Sequence, residues 1–254
     1  MFSLPVSGQV VDLRLRAGWD DLLLLEQRDE TEAALQLVAR LATDDAGRPL
    51  DTNSLPVTDV EAALLEVRRM VFGDSVRTDV RCLAPGCGKR VDVSFQIGDY
   101  LGFHRARKPR RVEPAAEAGW FRLAGSGALF RLPTAGDLRW LRSRADGAAE
   151  LARRCIRPDG LAAVELGRIE RALAAMAPSL SNSVRGSCPE CGRGLEMYFD
   201  VFHFVIAELR SQAMYLFADV HLLASQYHWT ESAILDMPAI RRTQYAEMIG
   251  GARA

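Results

Sequence analysis

The sequence has few lysines, few histidines and no long apolar run. Only two of its 32 basic residues are lysine, Lys89 and Lys108, and all the others are arginine. They nearly balance 33 acidic residues, which leaves a net charge of −1. Proteins that bind nucleic acid or membrane surfaces in general usually carry a basic excess, so both classes are disfavoured. No apolar run approaches the roughly 18 residues that cross a bilayer, so we expect no membrane insertion.

The amino-terminal residues also lack a targeting signal. Met1–Val6 contains neither the basic nor the apolar region of a secretory signal peptide, so we expect a cytoplasmic protein. Hydrophobic residues make up 48% of the chain, which is enough for a substantial core and excludes a disordered protein. Since a domain has roughly 100–200 residues, the length predicts one or two domains.

Signatures of common enzymes are missing as well. No His-Glu-x-x-His metalloprotease motif occurs. Gly125–Gly127 lacks the outer glycines of a serine nucleophile elbow and is typical of a hairpin turn instead. Gly86–Arg90 lacks the earlier glycine and the following Ser or Thr of a phosphate-binding loop. The sequence therefore predicts no enzyme and no small-molecule substrate.

Four of the five cysteines form two close pairs. Cys82 and Cys87 are separated by four residues, and Cys188 and Cys191 by two. The odd count, in a chain without a secretory signal, argues against a disulfide framework. Two thiolates at such spacing can bind one side of a tetrahedral zinc ion. Cys155 stands alone, and we interpret it as a small buried hydrophobic residue.

Three arrangements of these cysteines are open. Alternating residues on either side of each pair predict two β-hairpins, and the two hairpins can share one zinc ion. Alternatively, each pair belongs to a separate site completed by His104, His203 or another chain, or the cysteines hold no metal. Both histidines are also typical of ordinary helix positions. We favour one shared site with a single zinc ion per chain, because two similar hairpins can meet near a pseudo-twofold axis. The role of the ion would be structural, since four thiolates leave no open position for a substrate.

A weak internal repeat relates two parts of the chain. Val11–Leu22 resembles Ala128–Leu138, and each segment predicts a short strand followed by a helix with an acidic residue in its first turn. Thr58–Glu61 predicts a capping box at the start of a helix, and Leu161–Ala177 predicts a helix in the second part. A cysteine hairpin and a further helix follow in each part. The pattern favours an ancient duplication.

The predicted fold is α+β and helix-rich, with two related halves that each carry a zinc-knuckle β-hairpin, and with a helical carboxyl-terminal segment. We assign residues 1–103 to the first half, 104–118 to a linker, 119–200 to the second half and 201–254 to the helical segment. The linker has five basic residues among the seven from Arg105 to Arg111. We interpret it as solvated, because it contains proline, lacks aromatic residues and precedes acidic residues.

The helical segment contains distinctive motifs. Apolar residues at steps of three and four predict one long helix from Val201 to about Tyr227. This helix is followed by an aromatic turn, a short helix ending near Pro238, and a last helix ending at Gly250. The motifs of this region are His221–Ala224, Tyr227–Trp229, Ile234–Pro238 and Arg241–Tyr245.

These motifs resemble the T-even-type baseplate hub and assembly proteins, which occur in contractile phage tails and phage-tail-like injection particles. Larger members with two knuckles are similar over nearly the whole chain. The wider spacing of Cys82 and Cys87 departs from the compact knuckle of those members. The further matching segments are Leu55–Asp59, Phe72–Asp74, Phe130–Thr134 and both cysteine hairpins.

The resemblance implies a non-enzymatic structural or assembly component of a baseplate, assembled in the cytoplasm into a tail or injection particle. Its partners would be other baseplate, spike or tube proteins. The candidates for subunit contacts are aromatic residues and arginines, which are the usual anchors of interfaces; they are Tyr227, Trp229, Arg241, Arg242 and Tyr245.

Other interpretations remain open. The aromatic residues can instead pin the final helices in place, and the two arginines can lie on a solvated face. For the whole protein, the alternatives are a zinc-ribbon protein that binds nucleic acid or has a regulatory role, and a transient tail-assembly chaperone.

Overall fold

The computed structural model describes residues 1–142, 144 and 146–251. Helices and antiparallel strands are interspersed along the chain, which confirms the predicted α+β class. The helices are α1 (Gly18–Glu26), α2 (Glu30–Leu41), α3 (Val57–Phe72), α4 (Ile97–Phe103), α5 (Ala135–Leu141), α6 (Gly147–Cys155), α7 (Ala163–Met176), α8 (Val201–Ala213), α9 (Leu216–Tyr227), α10 (Glu231–Leu235) and α11 (Ala239–Gly251).

The strands form small sheets between the helices. In the described range the sheets have the orders β1-β2-β3, β4-β5, β6-β7-β8-β9 and β10-β11, and neighbouring strands are antiparallel. The strands are β1 (Phe2–Ser3), β2 (Val10–Leu13), β3 (Ala42–Asp44), β4 (Ser75–Arg81), β5 (Arg90–Gln96), β6 (Val112–Pro114), β7 (Trp120–Leu123), β8 (Leu129–Arg131), β9 (Ile156–Arg157), β10 (Asn182–Ser187) and β11 (Gly194–Phe199).

The main hydrophobic core lies where α1, α2, α3 and α8 pack together. Apolar residues at helical spacing line the inner faces, and Leu37, Leu64 and Leu209 are fully buried. Burying each such leucine stabilises the fold by roughly 1.5–3 kcal/mol. Because α8 belongs to this core, the predicted boundary at residue 200 does not separate two cores. The division into four segments otherwise stays a prediction.

A second core joins the four-stranded sheet to α7. Phe130 on β8 and Ile169 on α7 are fully buried in it. Cys155 also lies in this core and is 2% exposed, as the sequence predicts. Linker residues that precede β6 are bonded to this unit, since the Arg107 amide donates to the Ala175 carbonyl at 2.7 Å and the Arg111 carbonyl accepts from the Ala124 amide at 2.9 Å.

The predicted single helix after Val201 is wrong. The chain forms α8 and α9, which are separated at Met214 and Tyr215. Ala213 is buried in the main core, whereas Leu223 is buried in a separate cluster with α10 and α11. Helical periodicity continues through the break because both helices bury an apolar face, but the two faces pack against different elements.

The predicted capping box at the start of α3 is also wrong. Thr58 donates a hydrogen bond from its hydroxyl to the Pro178 carbonyl at 3.1 Å. The Glu61 carboxylate accepts bonds from the amides of Leu180 and Ser181, at 2.9 and 3.1 Å, and from the Ser181 hydroxyl at 2.6 Å. These polar residues therefore fix the loop before β10 onto α3 rather than cap the helix.

The two repeated strand-to-helix turns have the same geometry. Arg14 donates two hydrogen bonds to Asp20, at 2.6 and 2.9 Å, and Arg131 donates two to Asp137, at 2.6 and 2.8 Å. Each aspartate also accepts the backbone amide of the residue before its helix, at 2.8 and 2.9 Å. The repeat is thus real at the level of these turns, while the duplication of whole halves stays a prediction.

Each turn pairs with a proline-led segment from another part of the chain. Pro56, at the start of α3, forms an antiparallel bridge with Thr134 before α5. Pro238, at the start of α11, forms one with Ala17 before α1. The final helix is therefore attached to the first half of the molecule. Among the described residues, no helix combines the length and apolar character that crossing a membrane requires.

Candidate metal centre

Two hairpins bring the paired cysteines together. In the first, β4 and β5 pair from Ser75–Gln96 to Arg81–Arg90, so that Cys82 and Cys87 lie in the connecting loop. In the second, β10 and β11 pair up to Ser187 and Gly194, and Cys188 and Cys191 lie in the loop. Each loop thus presents both of its thiols at the tip of a rigid two-stranded arm.

The four thiols form one cluster. All four Sγ atoms lie within 4.8 Å of one another. Two of the pairs join the two hairpins, with 3.7 Å between the Sγ atoms of Cys82 and Cys191 and 3.8 Å between those of Cys87 and Cys188. Zn–S bonds of about 2.3 Å in a tetrahedron place neighbouring sulfurs about 3.8 Å apart. The cluster therefore fits one tetrahedral metal ion, and none of its cysteines forms a disulfide.

The two loops reach this arrangement by similar backbone turns. The amide of Cys82 donates to the Lys89 carbonyl, and that of Cys188 donates to the Arg193 carbonyl, both at 2.8 Å. A glycine follows the second cysteine of each pair, and its φ is +60° in the first loop and +71° in the second. This left-handed conformation favours glycine, since a side chain there would be strained. The glycines let each loop close around its thiols.

Electrostatics within the cluster favour a bound cation. Burial raises the pKa of the Cys188 thiol, but hydrogen bonds from the Cys191 and Glu190 amides outweigh it and bring that pKa to about 7. The Ala84 amide favours the thiolate of Cys82, yet burial and the neighbouring thiols raise its pKa to about 12. Several thiolates this close repel one another, and a divalent ion removes that repulsion.

The two candidate histidine ligands lie outside the cluster. His203 is hydrogen-bonded to Glu30, with 2.8 Å between its Nδ1 and a carboxylate oxygen. The His104 ring packs on the Tyr100 ring, with centroids 4.5 Å apart. Within the described residues, the group of potential metal ligands contains the four cysteines and neither histidine.

The predicted partner-binding aromatic residues form a cluster of their own. The rings of Tyr227 and Trp229 are stacked with centroids 4.7 Å apart, and Tyr245 packs edge-on against Trp229 at 5.2 Å. Trp229 and Tyr245 pack against the small core between α9, α10 and α11. They therefore hold the final helices together, and Tyr227 still exposes 38% of its surface.

The two predicted partner-binding arginines differ in their exposure to solvent and in their ion pairs. Arg241 is exposed, and it has no hydrogen bond or ion pair within the part of the chain that is described. Arg242 is 2% exposed and pairs with Asp21 on α1 and Asp219 on α9. Successive helix residues point about 100° apart, so one arginine faces solvent and the other faces the interior. Arg242 is thus not a surface residue, which corrects its prediction as a contact.

The acidic partners of Arg242 are not evident from the sequence. Asp21 is fully buried and also lies 3.0 Å from the Arg16 guanidinium. These residues come from distant parts of the chain, and an adjacent pair of aspartates after a turn is more simply explained by the helix dipole. No local pattern marks them as a buried ion network.

These features define an α+β protein in which two hairpins share a candidate metal site. The hairpins are attached to a helical core that carries two matching Arg–Asp turns. The model of the family described as T4 bacteriophage base plate protein matches residues 1–157, and the chain therefore belongs to this family. No significant match was found among curated proteins or among solved structures.

The family match confirms the resemblance predicted from the sequence. It includes the first cysteine pair and both Arg–Asp turns, and it ends before Cys188 and Cys191. Membership indicates a structural role in a phage baseplate, with other baseplate proteins as partners. The carboxyl-terminal motifs lie beyond the matched residues.

Proposed function

We propose that this protein is a non-enzymatic structural or assembly component of the baseplate of a contractile phage tail or a phage-tail-like injection particle. One zinc ion per chain would join its two hairpins. Family membership over residues 1–157 supports the baseplate role. The four Sγ atoms within 4.8 Å of one another carry the proposal for the metal.

A structural ion suits the setting of the cluster. Few apolar side chains pack around the thiols, chiefly Val91 and Leu195 together with Val80 and Ala84. Such a small apolar group cannot by itself hold two hairpin tips together, because burial stabilises in proportion to apolar area. Four thiolates around zinc supply the missing interaction and leave no position for water or substrate. Tetrahedral sulfur sites also suit iron, so the metal must be identified directly.

Elemental analysis of gently purified full-length protein tests the metal. We expect one zinc per chain and no iron. C188S should lose the zinc, whereas C155S should keep it, because Cys155 lies in the second core away from the cluster. Two zinc ions per chain, iron in place of zinc, or no metal at all would contradict the shared zinc site.

For contacts with neighbouring subunits we propose Tyr227, Trp229, Arg241 and Tyr245. The exposed Arg241 and the exposed part of Tyr227 support this surface. Arginine and tyrosine are common anchors at interfaces. R241E should reduce incorporation into particles without unfolding the chain, and normal incorporation of this variant would show that the surface is not used.

The particle itself provides the test of the assembly role. We would tag the chain in its native host, sediment the particles and compare the tagged protein with tube and sheath subunits. A fixed ratio in intact particles identifies a permanent subunit, and presence only with partial assemblies identifies an assembly chaperone. Absence from both contradicts the proposal. A tight, metal-dependent DNA complex at physiological salt would instead support the nucleic-acid alternative.

A further inference from the structure

A groove with a basic rim runs between the four-stranded sheet and α7. Its volume is about 300 Å³. Arg111, just before β6, lies on one side, and Arg168 and Arg171 on α7 lie on the other. Apolar side chains from both elements are among its lining residues, namely Val112, Leu123 and Ala172.

The three arginines of this groove are exposed and lack counter-ions. Within the described residues, none of them forms an ion pair or a side-chain hydrogen bond. Elsewhere in the same half, Arg131 and Arg154 both bind the Asp137 carboxylate. The groove therefore concentrates positive charge that the chain itself does not neutralise.

Nearby acidic residues do not neutralise the groove. The Glu165 carboxylate accepts a hydrogen bond of 2.6 Å from the Ser126 hydroxyl and forms no ion pair with Arg168 or Arg171. Glu113 follows Val112, a lining residue of the groove, along β6. Successive strand residues point to opposite faces, so Glu113 points away from the groove. Glu170 lies on a different face of α7 from Arg168, since the two are separated by about 160° around the helix. An external anion would meet little repulsion.

A second cavity lies next to the groove and shares one lining residue with it. Its volume is about 290 Å³, and Val112 lines both cavities. Arg107 and Lys108 also line it, and neither has an ion pair within the described part of the chain. The apolar lining includes Phe121, Leu132 and Met176.

We propose that these two cavities bind an acidic segment with apolar side chains that belongs to a neighbouring baseplate protein. Arginine guanidinium groups bind carboxylates in a bidentate manner, which suits the rim. The apolar lining suits the side chains between the carboxylates. A polypeptide is favoured over a nucleic acid because Phe121 is the single aromatic lining residue of the two cavities as described, and base stacking needs exposed rings.

A direct binding measurement tests the chemistry. The probe is a fluorescent peptide of repeating Glu-Leu-Glu, compared with the same peptide carrying glutamine for glutamate. We expect the full-length protein to bind the acidic peptide, to lose that binding as salt rises, and to ignore the glutamine peptide. R168Q/R171Q should weaken binding roughly tenfold, if each lost contact weakens it a few-fold as exposed ion pairs do.

A matched variant controls for net charge. R28Q/R77Q removes the same charge from two exposed arginines outside the groove, and it should bind the peptide like the unmodified protein. Circular dichroism checks that both variants are folded. Absent binding, equal weakening in both variants, or tighter binding of a short single-stranded DNA than of the acidic peptide would overturn the proposal.

The inference rests on the proposed assembly role, and incorporation into particles separates the two. If the unmodified protein is absent from particles and from partial assemblies, the assembly role itself fails. If it is incorporated and R168Q/R171Q is incorporated equally well, only the groove proposal fails. Reduced incorporation of R168Q/R171Q but not of R28Q/R77Q supports the proposal. A photo-crosslinking residue placed at position 111 should then become attached to an acidic peptide of another particle protein.

Discussion

At the scale of single residues, buried charges hold distant parts of the chain together. Arg242 on α11 lies between Asp21 on α1 and Asp219 on α9, and it is 2% exposed. Burial raises the pKa of Asp21, although Arg16 and Arg242 oppose that effect. A buried charge without its partner is far more costly than an exposed one, so this network makes the final helix depend on the first.

R242A should therefore destabilise the protein. Loss of the Arg242 guanidinium leaves the buried Asp21 carboxylate with less positive charge around it. We therefore expect a loss of about 3–5 kcal/mol in the free energy of unfolding. R241A removes a neighbouring exposed arginine and should change stability by less than about 0.5 kcal/mol. Urea unfolding of the two variants measures the difference. Similar values for both would show that the buried network is not formed.

The pKa of Asp137 predicts how the stability of the fold depends on pH. Burial raises its pKa, but hydrogen bonds from Arg131, the Thr134 amide and Arg154 outweigh burial and hold the pKa well below its usual range. Because the unfolded pKa is about 3.9, the ionised group stabilises the fold above that pH, and the stabilisation is lost as pH falls further.

D137N should consequently lower stability at neutral pH by about 2–3 kcal/mol, since a buried carboxylate with several donors is lost. Unfolding of D137N and the unmodified protein would be compared between neutral and acidic pH. The difference between them should shrink in acid, where protonation removes the same interaction. A difference that stays constant with pH would contradict the role given to the ionised carboxylate.

At the scale of elements, the proline-led segments set how the helices meet. The start of α11 crosses the turn before α1. The end of α10, just before this crossing, lies close to Gly18 at the start of α1. A Cβ at this position would lie 2.7 Å from the Cα of Leu235, which is backbone and cannot rotate away. The contact therefore requires glycine for reasons of space rather than backbone conformation.

G18A should destabilise the attachment of the final helices by about 1–3 kcal/mol, the usual cost of overpacking. G167A is the matched control on α7, where an added Cβ would meet only the end of the Arg171 side chain, at 3.6 Å. Alanine should stabilise that helix by roughly 0.5–1 kcal/mol. Urea unfolding distinguishes the opposite signs. Stabilisation by G18A would show that α10 does not pack as closely as described.

At the scale of the whole molecule, three apolar cores and one thiol cluster stabilise the part of the chain that the structure describes. The main core contains none of the four clustered cysteines. The helices can therefore stay folded when the hairpins separate. The cluster instead couples the strand pair that leads into α4 to the strand pair that leads into α8.

If the proposed zinc ion is bound, its removal with a chelator should lower the melting temperature by about 10 °C, since zinc-thiolate binding contributes several kcal/mol to a folded state. Helical circular dichroism at room temperature should be largely retained, because the main core is independent of the thiols. C155S should show the same shift as the unmodified protein. An unchanged melting temperature would contradict a structural ion.

Much of the candidate site was predictable from local patterns. The spacing of Cys82 and Cys87 and of Cys188 and Cys191, with alternating residues on both sides, predicts two hairpins that carry thiols at their tips. The choice between a shared site and separate sites was not settled by spacing. It depended on where the two hairpins lie relative to each other, and only packing on the helical core determines that.

Other features were misread because identical patterns serve different purposes. Thr58 and Glu61 have capping-box spacing, yet both bind the loop that precedes β10. Helical periodicity from Val201 to Tyr227 hides a break, because both helices bury an apolar face. Arg241 and Arg242 are indistinguishable in sequence, although one is exposed and the other is buried.

The sequence alone determined the α+β class, the cysteine hairpins, the two strand-to-helix turns with an acidic residue in the first helical turn, and the resemblance to baseplate proteins, since these depend on short-range spacing and on motifs. Tertiary structure decided which thiols meet, which arginine is buried, and where unpaired arginines gather beside an apolar groove. These outcomes depend on contacts between residues that are far apart in the chain. Such contacts are selected by the packing of whole elements, and no local pattern encodes them.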